Sequence, residues 1–165
     1  MPRRKVFIAA ALLVLLCGLS WARNSLYRDP MLLWQDTVDK SPNKARPHNN
    51  LGQTLKSRGE LAAAIRHFER SIELNPLNPN PLNNLATIYS GLGRKMEAAD
   101  LFQKALLLDP EHKDSRYNLA LLYYQMGLVN EAMREYAFII QHWPASSEAV
   151  FARHMLAEGQ DKALH

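Results

Sequence analysis

A 34-residue period runs through this chain. Pro42, Pro76, Pro110 and Pro144 stand 34 residues apart, and Trp34, Phe68, Phe102 and Tyr136 precede them by eight residues on the same period. Units of that length form one supersecondary element each. Such an element cannot bury its apolar face alone and does so by stacking on its neighbours. Function is therefore expected on an extended surface.

Other slots recur on the same period. Leu51, Leu85 and Leu119 are each followed by a small residue, Gly52, Ala86 and Ala120. Next come Leu55, Tyr89 and Tyr123, then Gly59, Gly93 and Gly127, then Ala64, Ala98 and Ala132. The first three slots fall at helical spacing, so one face of a first helix is apolar. The glycines end that helix. The alanine and the aromatic four residues later mark a second helix, which the proline terminates. The expected fold is all-α, a solenoid of helical hairpins with small residues where helix axes approach and aromatics filling the space between hairpins.

These residues resemble the tetratricopeptide repeat, whose signature runs tryptophan, leucine-glycine, tyrosine, alanine, phenylalanine and proline over about 34 residues. The resemblance covers three units, 45–78, 79–112 and 113–146. The chain departs at the tryptophan slot, where His48, Leu82 and Arg116 stand. Ahead of them, 29–44 reads as half a repeat: Asp29 as N-cap, Pro30 at the first helical position, and a helix carrying Trp34. Residues 147–165 read as a capping helix and tail, because Arg153 and His154 put charge where a further unit would put leucine and glycine.

Residues 1–28 are different in kind. Val6 to Ala22 is an almost unbroken apolar run preceded by Arg3, Arg4 and Lys5. That layout predicts a single-pass inner-membrane anchor with the repeats facing outward, into periplasm or lumen. The alternative is a secretory leader cleaved near Ala22, and a secreted array. Cys17, alone in the chain, reads as an inert thiol and leaves the array without disulfides.

Charge and motif content exclude several functions. The net charge is +4, but residues 1–28 hold five Lys and Arg and no acid, leaving 15 basic against 16 acidic residues in 29–165. With no basic stripe on the array, nucleic-acid binding is not expected. The six histidines share no metal-ligating spacing with each other or with Cys17, and neither a phosphate loop nor a nucleophile elbow occurs. The chain reads as a non-enzyme without cofactor or metal.

Binding is expected on the concave side, lined by the first helices. Asn50, Asn84 and Asn118 each precede a packing leucine and form a ladder at 34-residue spacing. Each carboxamide can pair with the carbonyl and amide of an extended peptide, or can bond nearby backbone within the helix pair. Similar ladders line the repeat groove of O-linked N-acetylglucosamine transferase, where they bind substrate peptide. The neighbouring groove positions are Arg46, Asn49, Gln53 and Lys56 in the first unit, and Asn83, Thr87 and Ser90 in the second. Tyr117, Leu121 and Tyr124 follow in the third. The sequence thus grades from a basic, amide-rich end to an aromatic end. Gln53 and Asp114 depart from the two-lysine, arginine-bearing clamp that some tetratricopeptide domains use for acidic C-terminal tails.

The junction Leu26 to Gly52 resembles the stretch joining the last membrane helix to the repeats in multi-pass proteins similar to protein O-mannosyltransferases. The expected function is a membrane-anchored scaffold that binds a segment of a partner protein and assists assembly of an envelope complex. An accessory or detached recognition domain of a membrane glycosyltransferase system is the alternative, and a self-associating structural protein the third.

Overall fold

The computed structural model describes residue 7, residues 11–21 and residues 28–163, with side chains as far as Ala157. It is all-helical among the described residues. After a helix over residues 11–21 come α1 (Pro30–Lys40), α2 (Ala45–Ser57), α3 (Leu61–Leu74), α4 (Pro79–Gly91), α5 (Lys95–Leu108), α6 (Lys113–Gln125), α7 (Val129–His142) and α8 (Ser147–Ala163). Every helix from α1 onward packs on the next. First helices of successive hairpins also touch, α2 with α4 and α4 with α6. That direct approach puts α2, α4 and α6 on the inside of the curve.

The period has a local cause at each boundary. Gly59, Gly93 and Gly127 sit at φ of 79°, 78° and 77°, in the left-handed region that a side chain disfavours. The Gly59 N–H donates to Lys56 O and the Glu60 N–H to Leu55 O, the double bond of a Schellman stop, and the other two glycines repeat it. The prolines sit in the turns between hairpins. In Asn75-Pro76-Leu77-Asn78 the Asn78 N–H donates to Asn75 O, and Asn78 Oδ1 then caps α4 by accepting from Asn80 N–H at 3.1 Å.

Phe68, Phe102 and Tyr136 are at most 1% exposed and fill the space between first and second helices. A Cβ at Gly52 would lie 2.8 Å from Phe68 Cε1, so the first hairpin closes more tightly than the others, which carry Ala86 and Ala120. Trp34, at the start of the series, is half-buried and packs against the cluster that includes Val38, Leu51 and Phe68. The Tyr136 hydroxyl is buried without a hydrogen-bond partner, and its pKa is pushed up to about 12 by burial and then by Tyr117 and Tyr124.

The tryptophan slot has a partner nineteen residues on, and the pair changes chemistry from hairpin to hairpin. His48 Nδ1 lies 3.0 Å from His67 Nδ1, while Arg116 Nη1 lies 2.5 Å from Glu135 Oε2. Leu82 and Leu101, at the same two slots of the middle hairpin, line one apolar pocket. The polar versions also reach the preceding turn. His48 Nε2 is 3.0 Å from Pro42 O, and Arg116 Nη2 is 2.6 Å from Pro110 O.

The histidine pair carries a pH signature. With Pro42 O accepting from His48 Nε2, neutral His48 must accept from the His67 Nδ1–H, so one tautomer of each ring satisfies both contacts. The His67 pKa is lowered, by burial first and then by His48 and Arg66. A histidine with a depressed folded pKa contributes stability above its unfolded value, about 6.5, that is lost as pH falls through the folded value. The melting temperature should therefore fall on acidification from about pH 6.5 towards pH 5, before most carboxylates titrate. In a His48→Leu/His67→Leu chain, scanned by calorimetry across that range, the step should be absent.

The apolar leader does not meet its expectation. Among the described residues, no helix is long and apolar enough to cross a membrane. Within that run the described residues are residue 7 and residues 11–21, all helical, whereas a span of the bilayer takes about 20 consecutive helical residues. The placement as a single-pass inner-membrane protein with outward-facing repeats is corrected accordingly. Val6, residues 8–10 and Ala22 lie outside the described residues, as does the alternative cleavage point near Ala22.

Candidate functional site

The concave face is built from α2, α4 and α6. Their apolar stripes face the second helices, with Leu51, Leu55, Leu85, Ile88, Leu119 and Leu122 at most 4% exposed, so the remaining positions form a groove. At its centre, between α4 and α6, lies a pocket of about 100 Å³ lined by Thr87, Ser90, Asn118, Leu121, Leu122 and Gln125, with the Phe102 ring as floor. Four of these, Thr87, Ser90, Asn118 and Leu121, are positions the sequence nominates. Gln125 and the reach of Phe102 into the groove escape sequence reading. Gln125 shares its slot with Gly91, which gives no periodic signal, and Phe102 reads as core alone.

The asparagine ladder proves to be two interleaved sets. Asn84 Nδ2 donates to Asn49 Oδ1 at 3.1 Å, and Asn118 Nδ2 donates to Asn83 Oδ1 at 3.0 Å. Ser115 Oγ adds a bond to Asn83 Oδ1 at 3.4 Å. Asn49, Asn83 and Asn84 are buried, and they tie each first helix to the next by side-chain amides. Asn50 and Asn118 are half-exposed. Two residues at neighbouring slots are needed for each rung, which is why a search for single repeating residues finds only half of the arrangement.

Asn84→Ala should thus act on stability. It leaves Asn49 Oδ1 without its donor in a buried site, at a cost of about 1–2 kcal/mol. Chemical denaturation would register that loss, and an unchanged midpoint would show the rung to be energetically idle.

The other nominated residues lie along the groove with graded character. Arg46 and Gln53 are exposed on α2, and Lys56 is half-buried there, its pKa lowered by burial. Among the described residues neither Arg46 nor Lys56 has a carboxylate partner, in contrast to Arg58 with Asp29 and Lys113 with Glu148. Helix α4 carries no charged residue at all. On α6, Tyr117, Leu121 and Tyr124 are half-exposed, and Tyr117 stands edge-on to Phe151 of α8 with ring centroids 5.8 Å apart.

Three family models described as tetratricopeptide repeat match the sequence, over residues 45–78, 67–99 and 96–142, together more than half of its length. The chain belongs to the tetratricopeptide repeat family. No curated protein sequence matches it. Among solved structures it is similar to MamA, with a TM-score of 0.64 and 22% identity over 82% of this chain and 90% of that one. It is also similar to YrrB, described as a tetratricopeptide protein with an unusual peptide-binding site, with a TM-score of 0.65 and 22% identity over 72% of this chain and 61% of that one. A third similar structure is the first tetratricopeptide domain of Spaghetti (RPAP3) bound to the HSP90 peptide SRMEEVD. Its TM-score is 0.66, with 20% identity over 73% of this chain and 94% of that one. At these identities the likeness concerns the fold. The family matches begin at Ala45 and so cover only residues 45–52 of the Leu26 to Gly52 junction, for which no match to multi-pass proteins is found.

Proposed function

We propose that this chain is a non-catalytic scaffold whose concave groove binds an extended segment of another protein. The observation that carries the reading is the pocket between α4 and α6. At about 100 Å³ it is well below the roughly 300–1,000 Å³ of small-molecule sites, and it suits one side chain of a peptide. The exposed Thr87 hydroxyl and the half-exposed Ser90 hydroxyl and Asn118 amide surround it and can meet a peptide backbone. Two structures of the same fold, those of YrrB and the Spaghetti domain, are described with peptide sites or a bound peptide, which supports the reading by analogy.

Each backbone hydrogen bond contributes about 0.5–1.5 kcal/mol net, so the amides alone give weak affinity and side-chain pockets must add to them. In-cell photocrosslinking from a probe at Tyr117, compared with one at exposed Glu73 on α3, tests the proposal. A partner segment captured from Tyr117 alone is expected. Equal capture from Glu73, or capture from neither position, would contradict it.

A further inference from the structure

The pocket at the groove's centre defines a set of slots that the 34-residue register repeats on either side. Its α4 wall holds Thr87 and Ser90. The same slots carry Gln53 and Lys56 on α2, and Leu121 and Tyr124 on α6. One slot therefore runs Lys56, Ser90, Tyr124, from cation to small hydroxyl to aromatic. A second slot also opens on a cation at the α2 end and loses it along the array. Arg46, Asn80 and Asp114 stand 34 residues apart, all exposed, and run from cation through amide to carboxylate.

Both gradients point the same way along the array. At the α2 end, Arg46 and Lys56 lack carboxylate partners among the described residues, and α4 beside them supplies no charge. At the α6 end, Asp114 repels acids, while Tyr117, Leu121 and Tyr124 offer apolar surface. A ligand that left Lys56 half-desolvated and unpaired would bind less well than one that brought a carboxylate to it. An acid bound in the opposite orientation would meet Asp114.

Resting on the peptide-binding reading above, we infer that the groove selects an extended segment graded in the complementary order. An acidic residue lies against Arg46 and Lys56, a small residue enters the Thr87–Ser90–Asn118 pocket, and an apolar or aromatic residue packs on Tyr117 and Tyr124. Helix axes about 8–10 Å apart and an extended chain rising about 3.3 Å per residue give roughly three residues per hairpin. The acid and the apolar residue are thus about six positions apart.

The test uses the full chain, fluorescently labelled, on an array of synthetic nonapeptides. Each carries one leucine near an end and a single glutamate or lysine walked along the remaining positions, with alanine and serine elsewhere. Binding should peak with glutamate about six residues from the leucine and exceed the lysine counterpart by about fivefold or more. The charge-reversed Lys56→Glu and Arg46→Glu chains should prefer the lysine peptides. Arg46 is exposed, so its variant keeps the test sound if Lys56→Glu weakens the fold. Peptides that bind with no charge preference, or with one that survives both reversals, overturn this inference and leave the peptide-binding reading standing. Absence of binding across the whole array overturns both.

Discussion

Truncating Phe102 to alanine is expected to lower the unfolding free energy by about 3–5 kcal/mol, the loss typical of deleting a buried aromatic ring. Phe102 is 1% exposed, packed with Ala86, Ala98, Leu119 and Leu122, and it joins the second hairpin to the third. In a solenoid each hairpin is held by its neighbours, so a void at this junction weakens both sides of it. The melting temperature should drop by about 6–20 °C, taking roughly 2–4 °C per kcal/mol for a chain of this size. Leu107→Ala, at a residue 82% exposed on the next turn of the same helix, provides the control and should change stability by no more than about 0.5 kcal/mol. If the two substitutions cost the same, the assignment of Phe102 to the inter-hairpin core is wrong.

The second large effect lies at the tryptophan slot. Arg116 and Glu135 are 12% and 22% exposed, and the Arg116 guanidinium also lies 3.6 Å from the centroid of the Phe138 ring. Replacing Arg116 by alanine leaves a mostly buried carboxylate uncompensated and removes the cation from the ring, at a cost on the order of 3 kcal/mol. The middle hairpin shows how the same position works without charge, since Leu82 and Leu101 occupy the two slots there. Arg116→Leu/Glu135→Leu should therefore recover most of the loss and come within about 1 kcal/mol of the parent, because a well-packed apolar pair commonly replaces a buried ion pair at little cost. Denaturant titration of the single and double variants decides the point. A double variant as unstable as Arg116→Ala would mean that the third hairpin needs its ion pair for more than filling the slot.

The all-α solenoid was legible because its determinants are local and recur. A glycine at positive φ stops each first helix, a proline turn separates hairpins, and small residues set the helix approach. Pairings across nineteen or thirty-five residues were not legible in the same way. His48 with His67 and Arg116 with Glu135 share no residue type from one hairpin to the next, and the Asn84–Asn49 and Asn118–Asn83 rungs repeat their residues but join two different slots, so comparing single slots does not reveal the pairs. The Asn50–Asn84–Asn118 ladder illustrates the consequence. Its period is plain in the sequence, yet the burial of Asn84 and its commitment to Asn49 depend on the neighbouring helix. The apolar run over Val6 to Ala22 predicts a membrane span from hydropathy alone, and no helix among the described residues is long and apolar enough to be one.

The proposed binding surface is the concave groove of α2, α4 and α6. The most direct test is a chemical-shift map of the isotopically labelled chain as the segment captured from the Tyr117 probe is added. Shifts concentrated at Thr87, Asn118, Leu121 and Gln125, with exposed Leu77 in an inter-hairpin turn and exposed Leu107 on α5 unmoved, are the predicted result. A map centred on Leu77 and Leu107, with the groove residues unaffected, would contradict it.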